Sequence, residues 1–184
     1  MEIVQTNLLA AVGLLGLLVI AILLVVHFRR RGGQGLRRLI QEVSSDALID
    51  VFIPDGLGGE IHIDHLLLTP HGLILLETKD IQGAVFAGDR LDTWSATLDG
   101  QRATFSNPIP MLEERVAALK LLAPGMPIES RVLFISPVTF PKGHPETVST
   151  VASLIEEYAS HRSVNKAYDV QPHWDAIKAV AIAS

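Results

Sequence analysis

The sequence predicts an α/β (α+β) chain: a mixed sheet flanked by helices, preceded by one membrane-crossing helix. Three observations predict it. Leu8 to Val26 is an unbroken apolar run of 19 residues, and at about 1.5 Å per residue it crosses a hydrocarbon core of about 30 Å. Ile61 to Leu68 and Leu73 to Leu76 are Ile- and Leu-rich segments of strand length joined by Thr69-Pro70-His71-Gly72, which reads as a hairpin covered on both faces. Around that hairpin, helical spacing at Leu36, Leu39, Ile40 and Val43, and again at Leu112, Val116 and Leu119, alternates with strand-like segments. That order suits helices packed on a sheet.

Taken in order, residues 1–7 form a short segment outside the membrane and residues 8–28 the anchor. A cleaved signal peptide is the competing reading, but the start carries Glu2 and no Lys or Arg, against the positive start such a peptide needs. Arg29-Arg30-Arg31 and then Arg37-Arg38 follow. By the positive-inside rule they place the rest of the chain on the cytoplasmic side of a single-pass inner-membrane protein, with membrane lipid as a partner through residues 8–28. Residues 29–35 read as a basic, Gly-containing linker, residues 36–162 as the folded domain, and residues 163–184 as a C-terminal extension with a short helix over Pro172 to Ile182.

Within the domain, Leu36 to Val43 is a helix ended by Ser44-Ser45-Asp46, and Ala47 to Ile53 a strand closed by Pro54-Asp55-Gly56. After the hairpin, Ile81 to Ala87 is a third strand. Asp89 to Trp94 and Ala96 to Phe105 read as edge strands turned around Asp99-Gly100. Asn107-Pro108 opens a helix, with Asn as cap and Pro in the first turn. Val132 to Ile135 is a buried strand, and Pro145 opens a helix with Val148, Val151, Ala152, Ile155 and Tyr158 inward. Trp94 reads as a core anchor.

The chain has no cysteine, which excludes disulfides, thiolate metal sites and cysteine nucleophiles. Net charge is −5, and five of the fifteen basic residues sit beside the apolar run, leaving ten against nineteen acidic in the body. An unspecific grip on nucleic acid through phosphates alone shows the opposite balance. Gly-x-Ser-x-Gly, phosphate-loop and His-Glu-x-x-His motifs are absent, so serine hydrolase, P-loop and zincin chemistry have no support.

Glu60, Asp64, Glu77 and Lys79 interrupt the apolar hairpin, and charge in a buried hairpin is unfavourable unless paired or metal-bound. Glu77 and Lys79, two apart, share one strand face. A two-residue loop at Pro70-His71 pairs Thr69 with Gly72 and sets Asp64 opposite Glu77. A three-residue loop with Gly72 as a bulge moves the pairing by one and sends the two acids to opposite faces. The turn sequence accommodates both. His62 and His65 alternate with Asp64 and read as hydrogen-bonded or surface imidazoles.

Ile63-Asp64-His65, an apolar strand, Gly72, a second apolar strand, Glu77-Thr78-Lys79 and Gly83 resemble the core signature of the NERD (nuclease-related) domain, a family placed in the PD-(D/E)xK, restriction-endonuclease-like group. The likeness runs through Trp94, Gly100, Phe105 and Asn107-Pro108 to the strand at Val132. It implies a restriction-endonuclease-like mixed sheet and Mg2+- (or Mn2+-) dependent hydrolysis of phosphodiester bonds in DNA or RNA. Asp64 and Glu77 would be the metal ligands, with the Thr78 carbonyl beside them, and Lys79 would steer the attacking water. Two departures stand out. The family's helix acid after a glycine is Leu36 here, so Glu42, Glu60 and, near the substrate, Gln82 are accessory candidates. After Asn107-Pro108 the chain reads Ile109-Pro110-Met111 where the family often has Gln. The alternative reading is a catalytically inactive NERD-like binding or scaffolding module at the membrane.

Overall fold

The computed structural model describes residues 33–161 and 169–184. The predicted membrane segment 8–28, the residues before it and the arginines at 29–31 lie outside the described residues. Among the described residues, no helix is long and apolar enough to cross a membrane.

Helix α1 covers 33–43 and takes in Gly33, Gln34 and Gly35, which the sequence alone suggests as a flexible joint. Gly35 lies against Val151, so this part of the helix is held by packing. Strand β1 (Asp46–Pro54) then pairs antiparallel with β2 (Glu60–Thr69), and β2 with β3 (Gly72–Lys79). β3 pairs parallel with β7 (Ile128–Phe134), and β7 with β9 (Val148–Thr150). With β10 (Ile182–Ala183) on the outer edge of β1, six strands form a mixed sheet in the order β10-β1-β2-β3-β7-β9.

β3 is the central strand. Gly72 through Glu77 are all buried, because side chains leave a strand alternately and both faces here are covered. Leu73 and Leu75 join one apolar cluster with Leu112 and Leu119 of α2 (Ile109–Leu122) and with Trp174 and Ile177 of α4 (Gln171–Val180). Ile74 and Leu76 join a second cluster with Leu39 of α1 and Leu154 of α3 (Val151–His161). Each fully buried Leu or Ile contributes about 2 kcal/mol, so the two-sided cover explains why this segment is apolar without alternation.

The hairpin turn takes the two-residue form: Thr69 pairs with Gly72. The Thr69 hydroxyl donates to the Gly72 carbonyl at 2.9 Å and accepts from the His71 amide at 3.2 Å. Gly72 has φ 133, and a Cβ there would stand 2.3 Å from the Pro127 carbonyl oxygen. The neighbouring Leu73 amide donates to that same oxygen at 2.9 Å, so only glycine fits this approach of two strands.

A smaller sheet of β4 (Gly83–Phe86), β5 (Thr93–Leu98), β6 (Gln101–Ser106) and β8 (Val138–Thr139) runs in the order β6-β5-β4-β8. Asp99-Gly100 is its hairpin turn, as the sequence predicts, but the strand expected from Asp89 begins at Thr93. The loop before it is fixed by side chains: Trp94 Nε1 donates to the Gly88 carbonyl at 3.0 Å, and Asn107 Nδ2 donates to Asp89 and Leu91 carbonyls at 3.2 and 2.9 Å. Trp94 is fully buried, and Asn107 Oδ1 accepts from the Ile109 amide at the start of α2.

Two further differences concern the end of the chain. The helix expected from Pro145 starts at Val151, because Val148–Thr150 is used as a strand beside β7. Thr150 and Ser153 then cap α3 reciprocally: each backbone amide donates to the other's hydroxyl, at 2.9 and 3.2 Å. The C-terminal extension is part of the core. Trp174 is fully buried, and its Nε1 donates to Asp46 at 2.8 Å, joined by Lys178 at 3.1 Å.

Candidate active site

Glu77 and Lys79 lie at the C-terminal end of β3, on the face already occupied by Leu73 and Leu75. The Lys79 ammonium donates to Glu77 Oε1 at 2.7 Å. Glu77 Oε2 accepts from Nη1 of Arg115 on α2. Glu77 and Arg115 are 9% and 8% exposed, and burying a carboxylate is unfavourable without a counter-charge. Glu77 has two.

Asp64 is held by a different set of partners. The strand pairing of β2 with β3 runs from Thr69 and Gly72 to His65 and Leu76, one step short of the two acids. Asp64 Oδ2 accepts instead from the backbone amide and hydroxyl of Thr78, at 3.0 and 2.9 Å. The Asp64 carboxylate therefore sits on the peptide that joins Glu77 to Thr78, while the Glu77 side chain leaves toward α2.

A change of facing in the neighbouring strands causes this. Leu66 and Leu68 of β2 point into the larger cluster, and so do Ile61 and Ile63, out of step by one residue. On β1, Leu48 packs against that cluster and so do Val51 and Ile53, again out of step. The switch on β1 falls at Asp50, which has φ 55, and on β2 at Asp64-His65. The β1–β2 register is the same on both sides of this point, so the two strands turn their inward set together without an inserted residue. Asp50, His62 and Asp64 come to one side by this route: His62 Nε2 lies 2.7 Å from Asp50 Oδ1, and His62 Nδ1 lies 3.5 Å from Asp64 Oδ1. Burial pushes the His65 imidazole below its ordinary pKa, against the pull of Asp64 and Asp50.

The accessory candidates stand elsewhere. Glu42 pairs with Arg38 at 2.8 Å one turn away on α1. Glu60 is exposed at the start of β2, opposite Pro54. Gln82 lines a groove of about 420 Å3 with Ala96, Gln101 and Arg102 of the smaller sheet. Among the described residues, no group of three or more His, Asp or Glu gathers to hold a metal ion.

Two residues of this region were not found from the sequence. Arg115 follows Leu112 by three and precedes Leu119 by four, so it interrupts the buried stripe of its helix; a charge inside such a stripe is the signal. Asp50 is an acid between apolar neighbours, Ile49 and Val51, in the middle of β1, and Asp is among the few residues that tolerate a left-handed backbone.

Comparison with known proteins adds the following. The sequence profile of the NERD family, nuclease-related domain, matches residues 30–135, which takes in α1 through β7. An uncharacterized protein of Bacillus anthracis is 22% identical over 126 residues, covering 66% of this chain. The chain spans 56% of that relative's length. No solved structure matches the chain.

Proposed function

Because the chain belongs to the nuclease-related domain family, we propose that it hydrolyses phosphodiester bonds of DNA or RNA in the manner of the restriction-endonuclease-like group, with Mg2+ or Mn2+ at Asp64 and Glu77. One observation carries this reading. A buried acid is bonded to Lys79 at 2.7 Å, and a second acid is bonded to the amide of the residue between them at 3.0 Å.

The donors suit such an ion in kind, and binding it at both acids requires Asp64, which lies at the Thr78 side chain, and Glu77, which turns toward Arg115, to converge. Asp64 and Glu77 offer carboxylate oxygens and Thr78 a backbone carbonyl, and Mg2+ takes hard oxygen ligands, often only one or two carboxylates with water and phosphate completing the shell. When bound, the ion supplies a more acidic water and neutralises charge on the phosphate.

The chain's own groups do the rest. Lys79 stands on the face of Glu77, so its ammonium is placed to hydrogen-bond an attacking water or a phosphate oxygen. Arg115 holds the Glu77 carboxylate in place through its own hydrogen bond. The Thr78 amide and hydroxyl orient Asp64. Beneath them Leu75 and Leu76 are fully buried, so the floor of the site is dry and rigid. The apolar run 8–26 and the arginines behind it support a tether to the cytoplasmic face of a membrane.

A second reading, a catalytically inactive binding module, is favoured by one feature: Glu77 is satisfied by two cations of its own chain. Calorimetric titration of the full-length chain with Mn2+ separates the two. The nuclease reading requires saturable binding that Asp64→Asn removes; heat that is absent, or unchanged by Asp64→Asn, leaves the binding module.

A further inference from the structure

The geometry points to Asp50 and His62 as a positioning pair that orients Asp64 for a divalent cation. The inference rests on the reading of Asp64 as a metal ligand and goes beyond it, since neither residue belongs to the Asp and Glu-x-Lys pattern.

Three observations converge. The His62 ring lies between two carboxylates, 2.7 Å from Asp50 on one nitrogen and 3.5 Å from Asp64 on the other. Its plane is set by Phe52, whose ring centroid is 5.2 Å away. Asp50 reaches the ring only because its backbone is left-handed, at φ 55, in the middle of a strand. Asp tolerates this conformation better than most residues with a side chain, but it is out of place inside a strand and persists where the surroundings hold it.

Stability alone does not explain the arrangement. The Asp50 side chain is 64% exposed and that of His62 31%, and solvent-exposed pairs of this kind contribute little to folding. Exposure falls further to 23% at Asp64, so the chain of contacts leads from solvent inward to the candidate ligand. Asp64 Oδ2 is already fixed by Thr78. His62 addresses the other oxygen, Oδ1, and together the two contacts determine which lone pairs remain for an ion. Partners of this kind behind a ligating group typically change metal affinity by about 10- to 100-fold when removed.

The test uses the full-length chain and Mn2+, followed by calorimetry, with thermal melting of each variant in parallel. Asp50→Gly accepts the positive φ and removes the carboxylate. His62→Gln keeps a donor at the reach of Nε2, toward Asp50; His62→Asn keeps one at the reach of Nδ1, toward Asp64. Asp50→Gly is expected to melt no lower than wild type yet bind Mn2+ about tenfold more weakly. His62→Gln weakens binding similarly, and His62→Asn retains most of it. Wild-type affinity in both Asp50→Gly and His62→Gln overturns the inference while leaving the metal site in place. So does an Asp50→Gly chain that melts lower but binds normally, or a His62→Asn chain no better than His62→Gln. A wild type that takes up no Mn2+ removes the metal site and this pair with it.

Discussion

Arg115 donates from Nη1 to Glu77 Oε2 across 38 residues of sequence, and both side chains are buried. The pair ties α2 to the end of β3. Removing Arg115 leaves the buried Glu77 carboxylate with Lys79 alone, so the loss falls below the about 3–5 kcal/mol typical of a fully uncompensated buried charge. Arg115→Ala is expected to lower the unfolding free energy, read from urea titration, by about 1.5–3 kcal/mol. Arg115→Met combined with Glu77→Leu should recover much of the loss, because it buries no charge. Equal losses in the single and double variants would show that the pair contributes nothing beyond packing.

Lys79 differs from Arg115. It is partly exposed, and Glu77 keeps Arg115 when it is removed. Lys79→Met should therefore change folding stability by less than about 1 kcal/mol while reducing phosphodiester cleavage by about 10²- to 10⁴-fold, the usual contribution of a positioned proton-transfer or charge-stabilising group. Melting curves and single-turnover rates on the same preparation check the separation.

Gly72 is the tightest point of the hairpin. With φ 133 and the Pro127 carbonyl oxygen 2.3 Å from where a Cβ would stand, Gly72→Ala has to displace backbone, and a loss of at least about 2 kcal/mol is expected. Gly100→Ala, at φ 77 with open space around it, should lose only about 1 kcal/mol. Denaturant titrations that rank the two in the opposite order would mean the strands do not approach as described.

Asp46 links the first strand to the last helix, and its pKa is depressed, first by the Trp174 indole N–H and then by Lys178. A depressed folded value means the unfolded chain binds the proton more readily. The stabilisation is therefore complete above about pH 4 and is lost as pH falls through the lower folded value. Asp46→Asn should flatten the acid limb of melting temperature against pH between about pH 5 and 2, with little change in shape at neutral pH. An unchanged acid limb would place the acid sensitivity elsewhere.

The hairpin, the turn around Asp99-Gly100 and the helix after Asn107-Pro108 were legible because local chemistry determines them: apolar runs of strand length, turn residues and a capping Asn. The choice between a two- and a three-residue hairpin loop was not, since Pro70-His71-Gly72 suits both and Gly72 packs against Pro127, distant in sequence, just before β7. Val148–Thr150 reads as helix because its apolar spacing fits the helix that follows; pairing with β7 overrides it. The Trp174 helix looked peripheral because nothing local reveals Asp46 as its partner. At the site, Glu77 and Lys79 were readable from a spacing of two. The position of Asp64 was not, because the shift in facing depends on a left-handed Asp50 one strand away.

Cleavage of a labelled oligonucleotide by the full-length chain, in Mg2+ and in EDTA, tests the central claim most directly. The account predicts cleavage of DNA or RNA in Mg2+ that EDTA stops and that Asp64→Asn and Lys79→Met each reduce by about 100-fold or more. A wild type inert on both nucleic acids, or variants that cut as fast as wild type, would contradict it.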